Sequence, residues 1–340
     1  MISGSGRKAI SMDKVAVIGS NSFSGAHFVN LLLESSDCEV IGVSRSPEKN
    51  AIFLPYKKRN SDRFSFYQMD LNKNLNEMIE LFDRKRPDVI VNFAAQGEVG
   101  SSWKNPEQWF RTNCIGIVNL TYNLKDKEYL NRYVHISTPE VYGSCEGAVL
   151  ESTPYNPSTP YAASKAAGDL FLFVLVKNFS FPLIMIRSAN VYGPHQQLYR
   201  IIPRSIIYMK MGKKIQLHGG GGAIKSFIHI RDVCEGIYKA IEKGRVGEIY
   251  HLSPESGCSV RSIVEMISKK MGLDFDQVTE TVGERLGQDA RYVIDSTKAR
   301  NELGWKPRIS IDEGLDEVIK WINHDWKTIV QQPLEYIHQP

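Results

Sequence analysis

The sequence predicts an α/β protein with a doubly wound parallel sheet and a smaller C-terminal α/β lobe that carries the ligand. Three observations predict it: short β-branched runs alternate with helical patterns up to Gly193, a glycine-bracketed turn joins the first run to the first helical pattern, and the rhythm changes after Gly193. Strands alternating with helices build right-handed βαβ crossovers, and those build parallel sheets.

The first strand is Lys14–Ile18. From Ser24 to Leu33 the apolar residues Ala26, Phe28, Val29, Leu32 and Leu33 then recur at helical spacing. Further strands are expected at Glu39–Val43, Phe64–Gln68, Val89–Phe93, Tyr133–Ile136 and Leu183–Arg187, with helices at Leu75–Phe82, Pro106–Leu124 and Tyr161–Lys177. Beyond Gly193 the pattern gives a helix near Ile202–Met211, a glycine cluster Gly219–Gly222, a strand at Ser226–Ile230 and a helix over Asp232–Lys243. A strand at Glu248–Leu252, a helix over Ser259–Met271 and an amphipathic last helix, Ile311–Asp325, complete it. Residues 13–193 read as a dinucleotide-binding domain to which 226–252 return. Residues 194–225 and 253–330 read as a lobe over the C-terminal edges of the strands, where open α/β sheets bind ligands. Residues 1–12 have no apolar core of a secretory signal and read as a disordered tail or tag remnant, so they are set outside the fold.

Composition narrows the function. Of 340 residues, 42% are hydrophobic and 24% charged, a globular balance. No apolar run approaches the roughly 18–20 residues of a membrane span. A net charge of +4 with interspersed signs gives no nucleic-acid footprint. The five cysteines are scattered without metal-ligand spacing, which points to a reducing cytoplasm and no structural metal.

The turn Gly19-Ser-Asn-Ser22-Phe23-Ser24-Gly25 has glycines at both ends, where they let backbone bend and approach a pyrophosphate at a helix N-terminus; Ser22 stands where a middle glycine is common. The second strand ends in Ser44 and Arg45, with no carboxylate for a ribose 2′-hydroxyl. These two favour NADP over NAD, although a solvated loop arginine would look the same. Asp70, next to Leu71, either accepts from an adenine amino group or caps the following helix. Ser137-Thr138 ends a strand, and Tyr161 and Lys165 lie four apart on one helical face. There the ammonium can lower the phenol pKa and hold a ribose, the phenolate can take a proton from a sugar hydroxyl, and Thr138 can bond the same oxygen.

These residues bring a family into view. The chain resembles the extended short-chain dehydrogenases/reductases, with their Rossmann-like sheet, that act on nucleotide sugars. The likeness rests on Phe93-Ala94-Ala95-Gln96 beside the cofactor, Pro-Tyr161-Ala-Ala-Ser-Lys165, Arg187-Ser-Ala-Asn190-Val-Tyr-Gly-Pro194, Ser226–Val233, Arg291–Asp295 and Leu303-Gly-Trp-Lys306. It implies that Asn190 binds the sugar diphosphate, Arg200 approaches the phosphates, Lys225 replaces a pairing arginine and Arg291 borders the nucleotide with the loop 283–289. It also implies a homodimer through a four-helix bundle. Within the family, Thr138-Pro139-Glu140 is similar to the motif of 4,6-dehydratases of the dTDP-glucose and GDP-mannose type. Oxidation at C4 acidifies the C5 proton, a carboxylate at 140 removes it as the C6 hydroxyl leaves, and the cofactor's hydride returns to C6. Pro139 departs from the pattern, having no proton to give the leaving hydroxyl, so water or Glu140 must serve. Glu140 read alone is equally a solvated loop carboxylate. A 4-epimerase, a 5,6-dehydratase, a UDP-glucuronate decarboxylase-like enzyme and a non-catalytic dinucleotide sensor or scaffold are the rival readings.

Overall fold

The computed structural model describes residues 12–59, 61–145, 147–283 and 291–339; for Arg291 and Tyr292 it describes the backbone alone. In chain order the first elements are β1 (Lys14–Ile18), α1 (Phe23–Ser35), β2 (Glu39–Ser44), β3 (Phe64–Gln68), α2 (Leu75–Lys85), β4 (Val89–Asn92), α3 (Val99–Ser102), α4 (Pro106–Phe110), α5 (Gly116–Leu124) and β5 (Arg132–Ile136). Then come β6 (Ala148–Val149), α6 (Pro160–Phe179), β7 (Leu183–Ser188), β8 (Asn190–Tyr192), α7 (Ile201–Lys210), β9 (Ile215–His218), β10 (Ile224–Lys225), β11 (Phe227–His229), α8 (Ile230–Lys243) and β12 (Ile249–Leu252). The last are β13 (Cys258–Ser259), α9 (Val260–Lys270), α10 (Phe275–Val278), β14 (Thr279–Val282), β15 (Arg291–Ile294), α11 (Thr297–Leu303), α12 (Ile311–His324) and α13 (Trp326–Ile329).

Seven parallel strands in the order β12-β7-β5-β4-β1-β2-β3 make the main sheet. The central strands are apolar along their whole length because helices cover both faces; Val15, Ala16 and Val17 of β1 are fully buried. α1 and α8 pack on one face, and α2, α5 and α6 on the other. The chain leaves β1 toward β2 and β3, then crosses to β4 and continues outward. The crevice beyond the C-terminal ends of β1 and β4 is therefore the switch point where such sheets bind ligands.

The expected 106–124 helix is broken by one π turn, Arg111–Ile115, between α4 and α5. Gly168 lets α6 lie against that turn, since a Cβ there would stand 2.4 Å from the Asn113 carbonyl oxygen. The strand expected over 226–230 is only β11, three residues paired with β8 outside the main sheet. The lobe contains a four-stranded sheet, β13-β10-β15-β6, and the pair β14-β9. Its helices α7, α9 and α12 share a core with Ile206, Ile263 and Leu315. Met12, set outside the fold by sequence, packs on the main core. Among the described residues no helix is long and apolar enough to cross a membrane.

Candidate active site

The crevice is a cleft of about 1530 Å³ shared by the sheet edge, the lobe and the C-terminal segment. Its floor is the first turn. Gly19 has φ +84°, and a Cβ there would lie 2.8 Å from the Ala94 nitrogen; one on Gly25 would lie 2.2 Å from the Gly19 carbonyl oxygen. Ser22 caps α1, its Oγ accepting from the Gly25 amide at 3.0 Å. Phe23 and Ser24 open the helix, which has no acidic residue in its first turn. Backbone amides and the positive end of a thirteen-residue helix thus face the cleft, an arrangement suited to a pyrophosphate.

The other expected cofactor residues line the same half. Ser44 is buried, its Oγ accepting from the Asn21 amide at 2.9 Å, so this hydroxyl braces the turn. Asp70 accepts from the Asn72 amide at 2.7 Å, while Asn74 occupies the position before α2; the helix-cap reading of Asp70 is not what the chain does. Leu71, Ala94, Ala95 and Gln96 line the wall. Asn113 in the π turn holds that wall, accepting from the Gln96 amide at 2.8 Å and donating to the Gln96 carbonyl at 3.0 Å and to Ser164 Oγ at 3.0 Å. Sequence reading passed over Asn113, because a π turn leaves no periodic signature.

Opposite stand the candidate catalytic residues. Thr138 follows β5, and its Oγ1 donates to Glu140 Oε2 at 2.7 Å. Thr159 caps α6 by accepting from the Ala162 amide at 3.1 Å, and Pro160 opens the helix, presenting half-buried Tyr161 to the cleft. Lys165, buried one turn on, donates to the Ile136 carbonyl at 2.8 Å and lies 3.3 Å from His135 Nε2. Burial lowers its pKa to about 8, against the raising charge of Asp169. Asp169 in turn accepts from Ser137 Oγ at 2.5 Å and pairs with Arg187 at 2.8 Å, and Tyr142 and Tyr155 cover that guanidinium. The Tyr161 phenol departs from expectation. Burial and the Glu140 charge push its pKa up, outweighing a hydrogen bond from Thr138 and the charge of Arg200, whereas the lysine alone predicted a lowered value.

On the lobe side Asn190 donates to the Ser226 carbonyl at 3.2 Å, and Lys225 and Arg200 line the cleft. Arg200 Nη1 is 3.6 Å from Glu98 Oε2. Arg291 lies in β15 beside Ile224; its side chain and residues 284–289 fall outside the described residues. Two features escaped the sequence. Glu98 faces the cleft from the loop after β4, and the C-terminal segment returns to it, the Gln339 carbonyl accepting from Gln96 Nε2 at 2.9 Å and Arg45 Nη2 at 3.3 Å.

The model of the family described as GDP-mannose 4,6 dehydratase matches residues 17–318. The chain belongs to this family. A dTDP-glucose 4,6-dehydratase of Streptomyces niveus is 36% identical over 256 residues, 74% of this chain and 76% of the relative. Among solved structures, the dTDP-glucose 4,6-dehydratase DesIV of Streptomyces venezuelae, with NAD bound, superposes with a TM-score of 0.86 at 30% identity, covering 93% of this chain and 98% of its own. UDP-glucuronic acid 4-epimerase of Bacillus cereus, in complex with UDP-glucuronic acid and NAD, gives 0.84 at 27%, covering 92% and 99%. Family membership bears out the expected doubly wound fold and the nicotinamide-dependent dehydratase reading, with the epimerase as its near neighbour.

Proposed function

We propose that the chain oxidises C4 of a nucleotide-diphosphate sugar, eliminates water across C5–C6 and reduces C6, with Thr138, Glu140, Tyr161 and Lys165 as its catalytic residues. The observation that carries this reading is the Thr138–Glu140 hydrogen bond at 2.7 Å in the cleft that holds Tyr161. An epimerase has no need of a carboxylate in that position.

The first turn fits a dinucleotide, since its two glycines leave room where any side chain would strike backbone. Gly19, Ser22 to Gly25, Ala94, Ala95 and Gln96 would hold it, with Tyr161 and Lys165 at its reactive end. When bound, the nicotinamide supplies the oxidant at C4 and returns the same electron pair to C6. Tyr161 takes the C4 hydroxyl proton, Lys165 keeps positive charge behind the phenol, and Thr138 bonds the C4 oxygen as it becomes a carbonyl. Glu140 removes the C5 proton, and because Pro139 has none to give, we assign protonation of the leaving hydroxyl to Glu140 as well; when hydride reaches C6, C5 takes a proton back from solvent, to which Tyr161 returns its own. Asn190, Arg200, Lys225 and Arg291 are assigned to the nucleotide diphosphate, for which basic groups and amides are the expected partners. Arg45 and Lys49 line the adenosine end, and no carboxylate directly follows β2, which favours NADP over NAD.

Phe110, Ile115 and Tyr122, on the stretch from α4 to α5, and Leu170, Val174 and Phe179 of α6 are exposed apolar side chains. We assign them to a two-fold four-helix interface, which light scattering would report as twice the chain mass. Scattered cysteines that form no disulfide among the described residues fit a cytoplasmic protein.

Mass spectrometry of protein incubated with dTDP-, UDP-, GDP- and CDP-linked hexoses tests the reading. A product lighter by one water, formed without added reductant, is expected, with dTDP-glucose the first candidate. Unchanged mass with altered stereochemistry would make the chain an epimerase and remove Glu140 from the chemistry.

A further inference from the structure

The sugar end of the cleft has an uneven charge balance. Tyr161 and Glu140 both act electrostatically on Arg200, so this guanidinium, assigned above to the diphosphate, also stands beside the reacting sugar. Glu98 stands beside it, 3.6 Å away, its side chain 19% exposed against 41% for Arg200. Behind the phenol, Lys165 is balanced by Asp169, which also pairs with Arg187. In front of it, the Arg200 guanidinium lies beside Glu98 and under the charge of Glu140.

A hexose brings a neutral C6 alcohol to such a surface, and either carboxylate can accept its hydrogen. A hexuronate brings a third carboxylate, and the nearby cation already has an acidic partner. Like charges brought together in a partly desolvated cleft are strongly unfavourable. The family's fold by itself does not impose this choice, since the similar epimerase structure holds UDP-glucuronic acid. The discrimination must come from side chains.

We propose that Glu98 is a specificity-determining residue: by occupying Arg200 it selects nucleotide sugars with an uncharged C6 and rejects nucleotide-linked hexuronates. The inference rests on the nucleotide-sugar reading above and deepens it.

Calorimetric titration of the purified holoenzyme tests it with two matched pairs, dTDP-glucose against dTDP-glucuronate and UDP-glucose against UDP-glucuronate. The ratio within a pair cancels the preference for the base. The parent is expected to bind the neutral member about tenfold or more tightly, and Glu98→Gln to narrow that ratio to about threefold or less by tightening the uronate. Glu98→Asp, which keeps the charge, is expected to retain the preference. A parent ratio near one, or a ratio unchanged in Glu98→Gln, would overturn the inference while leaving the dehydratase reading intact. Failure of all four compounds, and of GDP-mannose and CDP-glucose beside them, to bind the parent would instead overturn the nucleotide-sugar reading, and this inference with it.

Discussion

The cleft has two halves built on different principles. The cofactor half rests on strands of four to six residues in one sheet, buried on both faces, and on a turn whose glycines touch neighbouring backbone. The sugar half rests on two- to four-residue strands in three small sheets, on loops such as that carrying Glu98, and on the returning C-terminal segment. The first is held by continuous burial and backbone ladders, the second largely by individual side-chain contacts. Chemistry common to a family can sit on the rigid half while substrate choice changes on the other at little cost to the fold.

The comparison breaks most visibly at the phenol. Tyr161→Phe removes the proposed proton acceptor and is expected to lower kcat by about 10³-fold or more with little change in cofactor binding, measured by product formation and fluorescence titration. Turnover near the parent rate would mean that the tetrad does not carry the reaction. Glu140→Gln is expected to cost about 10²- to 10³-fold in dehydration yet still oxidise C4, so reduced cofactor should accumulate at 340 nm. Loss of both steps together would make Glu140 part of the cofactor half.

How much the sequence disclosed follows the same division. β1 and the βα turn are legible because consecutive apolar residues, or glycines at fixed offsets, carry the signal, and β3 because aromatic residues at 64, 66 and 67 do. Tyr161 and Lys165 are legible because one helix joins them. β10 and β13 have two residues each and show no periodicity at all. Glu98 gives no local sign of the arginine a hundred residues later that it meets, and Gln339 gives none of Arg45. The helix from Pro106 reads as continuous, and its π turn is settled by Asn113 and Gly168, a tertiary contact. The direction of the Tyr161 shift was missed because lysine spacing is a sequence fact, whereas burial and the Glu140 charge are not.

The pH profile separates the ammonium from the phenol. With the Lys165 pKa lowered to about 8, its charge is present below that pH and lost above it. If catalysis needs that charge behind a Tyr161 phenolate, kcat/KM should rise by about tenfold per unit up to pH 8 and then level off, since above it the growing phenolate fraction is offset by the falling ammonium fraction. Lys165→Arg keeps its charge throughout this range and should remove the levelling, so that activity goes on rising above pH 8 from a lower level set by the poorer fit of a guanidinium. Stability should go on rising where activity levels off: a lysine lowered from 10.5 leaves the unfolded chain binding more protons between about 8 and 10.5, so this group favours the folded state increasingly as pH rises through that window.

The smallest expected effect lies where the two halves meet. Tyr336 packs edge-on against Tyr199 with ring centroids 5.2 Å apart, and two residues on His338 stacks on Trp109 at 5.1 Å. Gln339 then reaches Gln96 and Arg45 in the cofactor half. Tyr199 adjoins Arg200, so the segment spans from the sugar site to the adenosine end. An aromatic pair of this kind contributes about 0.5–1.5 kcal/mol, so Tyr336→Ala should raise KM for the nucleotide sugar about two- to tenfold with kcat nearly unchanged. If cofactor affinity falls instead and KM stays constant, the segment belongs to the cofactor half, and the boundary between the rigid and adaptable parts of the cleft runs on the other side of Tyr199.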